Sequence, residues 1–210
     1  MSRNTHLASA LAFSMALFTS SAAAYEEKEK EKEPFTGTAS AGLCKLNISS
    51  GTAVPDFETC GTYNLYGGYR FTSWLHAEVG FQDYSNASTA MQKDLAGSYE
   101  TEFTATTTFA GLGVHFPVHR TFIPYVRGGV LHYRSKLTVH EYFDGIYPEG
   151  SQTARDNGTG YYWAAGLTLQ SAQELRFIVE FQQQVLQNIF EESSRPLEAR
   201  YNSIMIGFGF

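Results

Sequence analysis

The last ten residues, YNSIMIGFGF, constrain the fold of this 210-residue chain more than any other feature. In an extended strand, successive side chains point to opposite faces. The even-numbered positions then form one apolar face that ends in an aromatic ring: Ile204, Ile206, Phe208 and Phe210. A soluble sheet rarely leaves its final strand without charge, whereas a transmembrane barrel needs such an outward face. The segment therefore predicts the closing strand of a barrel that spans a membrane.

The N-terminus predicts that the chain is exported. A basic start precedes an apolar stretch at 7–18, and small residues follow it up to an A-x-A match at 22–24. This order is that of a secretory signal peptide, cleaved after residue 24. A buried helix is the competing interpretation, but it does not account for the order of the three parts. Residues 25–34, YEEKEKEKEP, are too charged to be buried and predict a solvated periplasmic linker before a single domain at 35–210.

Hydrophobic alternation recurs through the domain in blocks of about ten residues, as bilayer-spanning strands require. We predict eight strands: Phe35–Asn47, Thr62–Phe71, Trp74–Tyr84, Glu100–Phe116, Phe122–Leu137, Gly160–Leu169, Leu175–Leu186 and Ala199–Phe210. Their short connections are Thr72–Ser73, Pro117–Thr121 and Gln170–Glu174. The long, polar ones are Ile48–Gly61, Ser85–Tyr99, Thr138–Thr159 and Gln187–Glu198. This alternation predicts an all-β, eight-stranded antiparallel up-and-down transmembrane β-barrel.

The composition agrees with an outer-membrane location. Short turns of such barrels face the periplasm, which would place both termini there and the long loops outside the cell. The mean hydropathy of −0.24 is compatible with a barrel because half of each strand faces a polar lumen. Aromatic residues make up 15% of the chain, as interfacial girdles require. The net charge of −6 argues against nucleic acid as a partner.

The two faces are clearest in the third and seventh predicted strands. Leu75, Val79 and Phe81 alternate with polar residues, and the seventh strand repeats the pattern. The fourth strand is ambiguous, because its apolar parity changes near Phe109. Either a β-bulge lies there, or Phe109 fills the lumen. The fifth strand, which contains Gly128-Gly129, has the same ambiguity.

The chain has two cysteines, Cys44 and Cys60. In an exported protein, an isolated pair of this kind usually forms a disulfide. The bridge would close the base of the first long loop. Two unpaired buried thiols are the alternative, and metal binding is disfavoured because no His or carboxylate of suitable spacing flanks the pair.

The ordered hairpins give the chain a resemblance to the membrane domain of the outer membrane protein A family of Gram-negative bacteria. The matching segments are Gly67–Tyr84, Ala110–Arg134 and Ala164–Gln182, together with the tail. The resemblance implies a barrel inserted by the barrel-assembly machinery, and Phe210 resembles the terminal signal that this machinery reads. Larger members carry a peptidoglycan-binding domain after the barrel, whereas this sequence stops at Phe210, so cell-wall anchoring is not carried over.

Members of that family bridge their strands inside the barrel with ion pairs. The candidates here for a polar network in the lumen are His76, Glu78, Arg176 and Glu180. The family's other inward positions correspond to Gly111 and Thr168, so the resemblance implies a different network in this chain. Buried charges need partners, which makes lumen packing the first interpretation and a narrow pore for water or small ions the second.

The sequence predicts no catalytic centre, cofactor or metal. A lipid A-modifying enzyme would need a Ser–His pair, and on one strand the two would lie two residues apart. None of the mature histidines has such a serine: His76, His115, His119, His132 and His140. A triad assembled across strands is the open alternative.

The long loops are the remaining candidates for function. The third has an apolar, aromatic centre: Tyr142, Phe143, Ile146 and Tyr147. Mobile bulk is one interpretation, and contact with a host surface, another cell or a phage is the other. We therefore predict a non-enzymatic, monomeric barrel in contact with outer-membrane lipid and lipopolysaccharide. Its role would be in envelope integrity, adhesion or host contact, with a narrow channel as the alternative.

Overall fold

The computed structural model describes residues 34–49, 56–93, 97–119, 121–143, 150–170, 175–190 and 197–209. The predicted signal peptide, linker residues 25–33 and Phe210 lie outside the described residues. No helix within the described ranges combines the length and apolarity needed to cross a membrane.

The described residues form one antiparallel sheet that closes on itself. Its strands are β1 (Phe35–Ser49), β2 (Thr59–Arg70), β3 (Leu75–Ser88), β4 (Gln92–Lys93), β5 (Gly97–His115), β6 (Phe122–Phe143), β7 (Gly150–Gln170), β8 (Arg176–Ile189) and β9 (Leu197–Gly209). The pairing of β1 with β9 and of β3 with β5 closes the barrel, and the two-residue β4 pairs only with β5. The predicted eight-stranded, all-antiparallel barrel is confirmed.

The tail is the closing strand, as its pattern predicts. It pairs with β1 from Thr38↔Gly209 to Ser49↔Glu198. Its outward side chains are apolar and exposed on the barrel surface, with Ile204 at 65%, Ile206 at 57% and Phe208 at 57% exposure. The residues between them are small or flexible and face the lumen, where a narrow barrel has little room.

The connections alternate in length around the barrel, which gives it two different ends. We call the end with connections 71–74, 116–121 and 171–175 the short-turn end, and the opposite end the long-loop end. The prediction for the third long loop, Thr138–Thr159, is wrong: β6 continues to Phe143, and β7 begins at Gly150. On the β7 side, residues 150–155 read GSQTAR and are almost all exposed, so the hydrophobic alternation that marks a strand is missing there.

Three strands therefore project past the rim at the long-loop end. We call residues 97–103, 137–143 and 150–154 the extension. Its strands stay in register, from Phe103↔Leu137 to Gly97↔Phe143 and from Leu137↔Ala154 to Glu141↔Gly150. On its far side, β7 pairs with β8 only from Gly160 onward, so among the described residues the 150–155 segment has no backbone partner there.

The ambiguity in the fourth predicted strand, now β5, is resolved in favour of the lumen. Phe109 is buried at 2% exposure, and the β5–β6 register continues without a bulge past it. Space for the ring comes from Gly80 on β3, where a Cβ would lie 2.5 Å from both Phe109 Cζ and Tyr66 Cβ. On β6, Val126 and Val130 face outward, so Arg127 faces the lumen.

Candidate functional site

The lumen near the short-turn end is built around one buried cation, Arg127 of β6. Its Nη1 lies 2.6 Å from Glu78 Oε1 of β3. Its Nε and Nη2 each lie 2.7 Å from a different oxygen of Glu180 of β8. All three side chains are at most 2% exposed. A bidentate Arg–carboxylate pair combines directional hydrogen bonds with charge, and it ties three strands together across the lumen.

Neighbouring side chains make further contacts with the two carboxylates of this ion triad. Tyr162 donates a hydrogen bond to Glu78 Oε1, and Tyr125 donates one to Glu180 Oε2 at 2.6 Å. His76 Nε2 lies 3.3 Å from Glu78 Oε2. The guanidinium carbon of Arg127 lies 4.4 Å from the centroid of the Tyr66 ring, a cation–π contact. Burial of the charges is tolerated because each has several partners.

The structure brings together only part of the polar network expected from the sequence. Glu78, Glu180 and His76 meet in the lumen as described. Arg176 instead lines a cavity of about 20 Å³ at the short-turn end, with Arg70 and His115. Arg127 was missed, because Gly128-Gly129 obscured the parity of its strand. The available signal was a single arginine inside an otherwise uncharged run from Phe122 to Leu131.

A layer of amides and hydroxyls crosses the lumen above the ion triad. Gln184 of β8 donates to Gln82 of β3 at 2.8 Å, and Thr107 of β5 donates to Gln184 at 2.9 Å. Ser40 donates to Asn64 at 2.6 Å on the other side of the barrel. Both glutamines and Asn64 are fully buried. The bonds of Gln184 to Gln82 and Thr107 link β8 to β3 and β5, so these side chains cross the centre of the barrel.

An apolar plug closes the lumen towards the long-loop end. Tyr84 and Tyr201 stack with their ring centroids 3.9 Å apart, and Phe103 lies 6.3 Å from Tyr201. Leu46 and Leu186 complete the plug, and all five side chains are at most 1% exposed. The lumen is therefore filled in three layers, namely the ion triad, the polar layer and this plug.

The disulfide between Cys44 and Cys60 is present, as the sequence predicts. The two residues are directly opposite each other on β1 and β2, and both face inward at 2% and 3% exposure. The bond lies at the base of the first long connection, next to the apolar plug.

Removal of this bond should destabilise the barrel measurably. We expect the Cys44→Ala/Cys60→Ala variant to lose about 3 kcal/mol of unfolding free energy, because the loop that the bond closes regains its freedom in the unfolded chain. Urea unfolding of refolded protein in vesicles, followed by tryptophan fluorescence, measures the loss. Reduced wild-type protein is the control and should match the variant; an equal stability of oxidised wild type and variant would contradict the expectation.

Two further histidine contacts lie beside the ion triad and in the extension, respectively. His76 and His115 stack with centroids 4.5 Å apart, and His140 lies 3.7 Å from Glu102. No group of three or more His, Cys, Asp or Glu side chains in these ranges is placed to hold a metal ion.

Comparison with known proteins points to one family. Residues 9–210 match the family described as "outer membrane protein beta-barrel domain". Neisserial surface protein A is similar in structure, with a TM-score of 0.58, 14% identity, 84% of this chain covered and 96% of that one. The N-terminal β-barrel domain of Pseudomonas aeruginosa OprF gives a TM-score of 0.48 and 15% identity, with coverages of 84% and 98%. No curated protein sequence matches the chain. At these identities the structural likeness shows the fold alone.

Proposed function

The chain belongs to the outer membrane protein β-barrel family, and from that premise we propose a non-conducting barrel that acts through its long-loop end outside the cell. The short-turn end and both termini then face the periplasm, as in other barrels of this architecture. The role is one of surface contact, in adhesion or in holding the envelope together, rather than of transport or catalysis.

The observation that carries this proposal is the filled lumen. Gln82 and Gln184 meet in the middle of the barrel, between the ion triad and the stacked Tyr84–Tyr201 pair. A water or ion path through the barrel would have to disrupt buried ion pairs and a packed aromatic plug. Function is therefore better sought on the outer surface than inside.

The extension is the surface best suited to contact with another molecule. Residues 151–155 of β7 are exposed, and in the described part of the chain their backbone has a strand neighbour on one side only. An exposed strand edge offers unpaired backbone N–H and C=O groups to an extended segment of a partner. We propose that this edge, on the rigid support of β5 and β6, is the contact surface.

Shortening the extension tests the proposal. Lys136 and Arg155 are cross-strand partners, so replacing residues 137–154 by Asn-Gly joins them through a two-residue hairpin, removes nearly all of the free edge and keeps the register. We expect this variant to insert normally but to lower adherence of producing cells to epithelial monolayers, and to sister cells, to the level of a deletion strain. Adherence that is unchanged would contradict the proposal.

A second variant separates the role of the paired strands from that of residues 144–149, which connect them in the sequence. Replacing residues 144–149 by a Gly/Ser segment of equal length keeps the β6–β7 pairing and the free edge. We expect this variant to adhere like wild type. If this variant alone loses adherence, the contact is made by residues 144–149 and not by the strand edge. Heat-modifiable migration on gels shows for each variant that the barrel has folded.

A further inference from the structure

A cluster of cations lies on the outer wall of the barrel, just below the extension. Arg134 and Lys136 of β6 and Arg155 of β7 face outward and are exposed. Lys136 and Arg155 are directly opposite each other in the β6–β7 register, with Arg134 two residues away on the same face. The three line a cleft of about 670 Å³ whose other wall is formed by β3 and β5.

In the part of the chain that the structure describes, these three cations have no carboxylate partner, whereas two other cations at the long-loop end do. Lys45 lies 3.1 Å from Asp56, and Arg200 lies 2.6 Å from Glu198. Among the described residues, no carboxylate lies within ion-pair distance of the cluster. One acid, Asp83, lines the cleft, so the cleft as a whole carries a positive charge.

The other acids near the cleft are already engaged. Glu102 lies 3.7 Å from His140 and accepts a hydrogen bond from Asn86 at 3.4 Å. Asp156 accepts one from the Phe190 backbone N–H at 2.7 Å. Like charges directly opposite on neighbouring strands destabilise a sheet, so an anion between Lys136 and Arg155 would relieve their repulsion.

The height of the cluster identifies the anion. The last outward apolar residue of β6 is Val130, and its cross-strand partner Tyr161 is an exposed aromatic residue. Exposed aromatic rings of this kind mark the edge of the membrane in outer-membrane barrels. Arg134 lies four residues further along a tilted strand, which places it about 10 Å beyond that edge along the membrane normal. On the outer side of an outer membrane, this is the level of the phosphorylated sugars of lipopolysaccharide.

We propose that Arg134, Lys136 and Arg155 form a binding site for the phosphate groups of lipopolysaccharide in the outer leaflet. Arginine matches phosphate with two parallel hydrogen bonds, and lysine adds a compact charge. The long acyl chains of the same molecule would lie against the apolar belt below. This site rests on the orientation proposed above, with the long-loop end outside the cell.

Binding to the purified barrel in detergent tests the site. Wild type and the triple variant R134Q/K136Q/R155Q are titrated with fluorescent lipopolysaccharide at low and high salt. We expect the triple variant to bind at least about tenfold more weakly, given three lost contacts to anionic head groups. The matched control K45Q/R200Q removes two cations that are already paired and should bind like wild type. Enzymatic removal of the phosphates should weaken wild-type binding to the level of the triple variant.

Two results would overturn the proposal. Equal binding by wild type and the triple variant would show that the cluster does not hold the lipid. Binding of a soluble sulfated polysaccharide as tightly as lipopolysaccharide, lost in the same variant, would identify a soluble polyanion as the occupant. Labelling of a cysteine introduced at Gln152 on intact cells tests the orientation separately. A failure of that orientation is therefore distinguishable from a failure of the site.

Discussion

Replacement of Arg127 by methionine is expected to lower the unfolding free energy of the barrel by about 3–5 kcal/mol. The substitution leaves Glu78 and Glu180 without the cation that they share, and both carboxylates are at most 2% exposed. An unpaired buried charge is more costly than the net gain from the pair, which explains the size of the loss. Urea unfolding in lipid vesicles measures it.

Two further variants make this test specific. Arg134→Met removes an exposed, outward arginine from the same strand and should change stability by less than about 1 kcal/mol. Adding Glu78→Gln and Glu180→Gln to Arg127→Met should recover much of the loss, since no buried charge is then left unpaired. A small effect of Arg127→Met, or no recovery in the triple variant, would show that the ion triad does not hold the strands together.

Replacement of Tyr201 by alanine is expected to cost about 3–5 kcal/mol, as for other large buried aromatic side chains. Tyr201 is fully buried and stacks on Tyr84, so its removal leaves a cavity in the apolar plug. Equilibrium unfolding measures the loss. The polar layer below is unchanged, so this variant should still show no conductance.

The control for this substitution is Tyr161→Ala. Tyr161 lies on the outward face and is 43% exposed, so its removal opens no cavity and should cost much less. Equal losses for the two variants would mean that the interior packing is not what stabilises the barrel.

The membrane-facing side chains were predictable from the sequence, because contact with lipid requires an apolar residue at every second position of a strand. Ile204, Ile206 and Phe208 face outward as their alternation predicts, and the strand order follows from the short connections. The disulfide was also predictable, since an exported chain with two cysteines has one pairing available.

Two features were not predictable, for separate physical reasons. Residues that face the lumen follow no regular pattern of polarity. Phe109 is apolar, Arg127 is charged and Gln184 is polar, yet all three are buried there. Only three-dimensional packing shows which of these side chains meet. Residues 151–155, in turn, are exposed on both faces of β7, so this segment pairs as a strand without any hydrophobic alternation.

Single-channel recording of the purified barrel in planar bilayers tests the central claim most directly, namely that the lumen is closed and that the protein acts through its outer surface. With the lumen filled from Arg127 to Tyr84, wild-type protein should give no discrete conductance steps beyond those of protein-free bilayers, at both polarities. Reproducible steps from folded, heat-modifiable protein would contradict the account and would establish the narrow channel in its place.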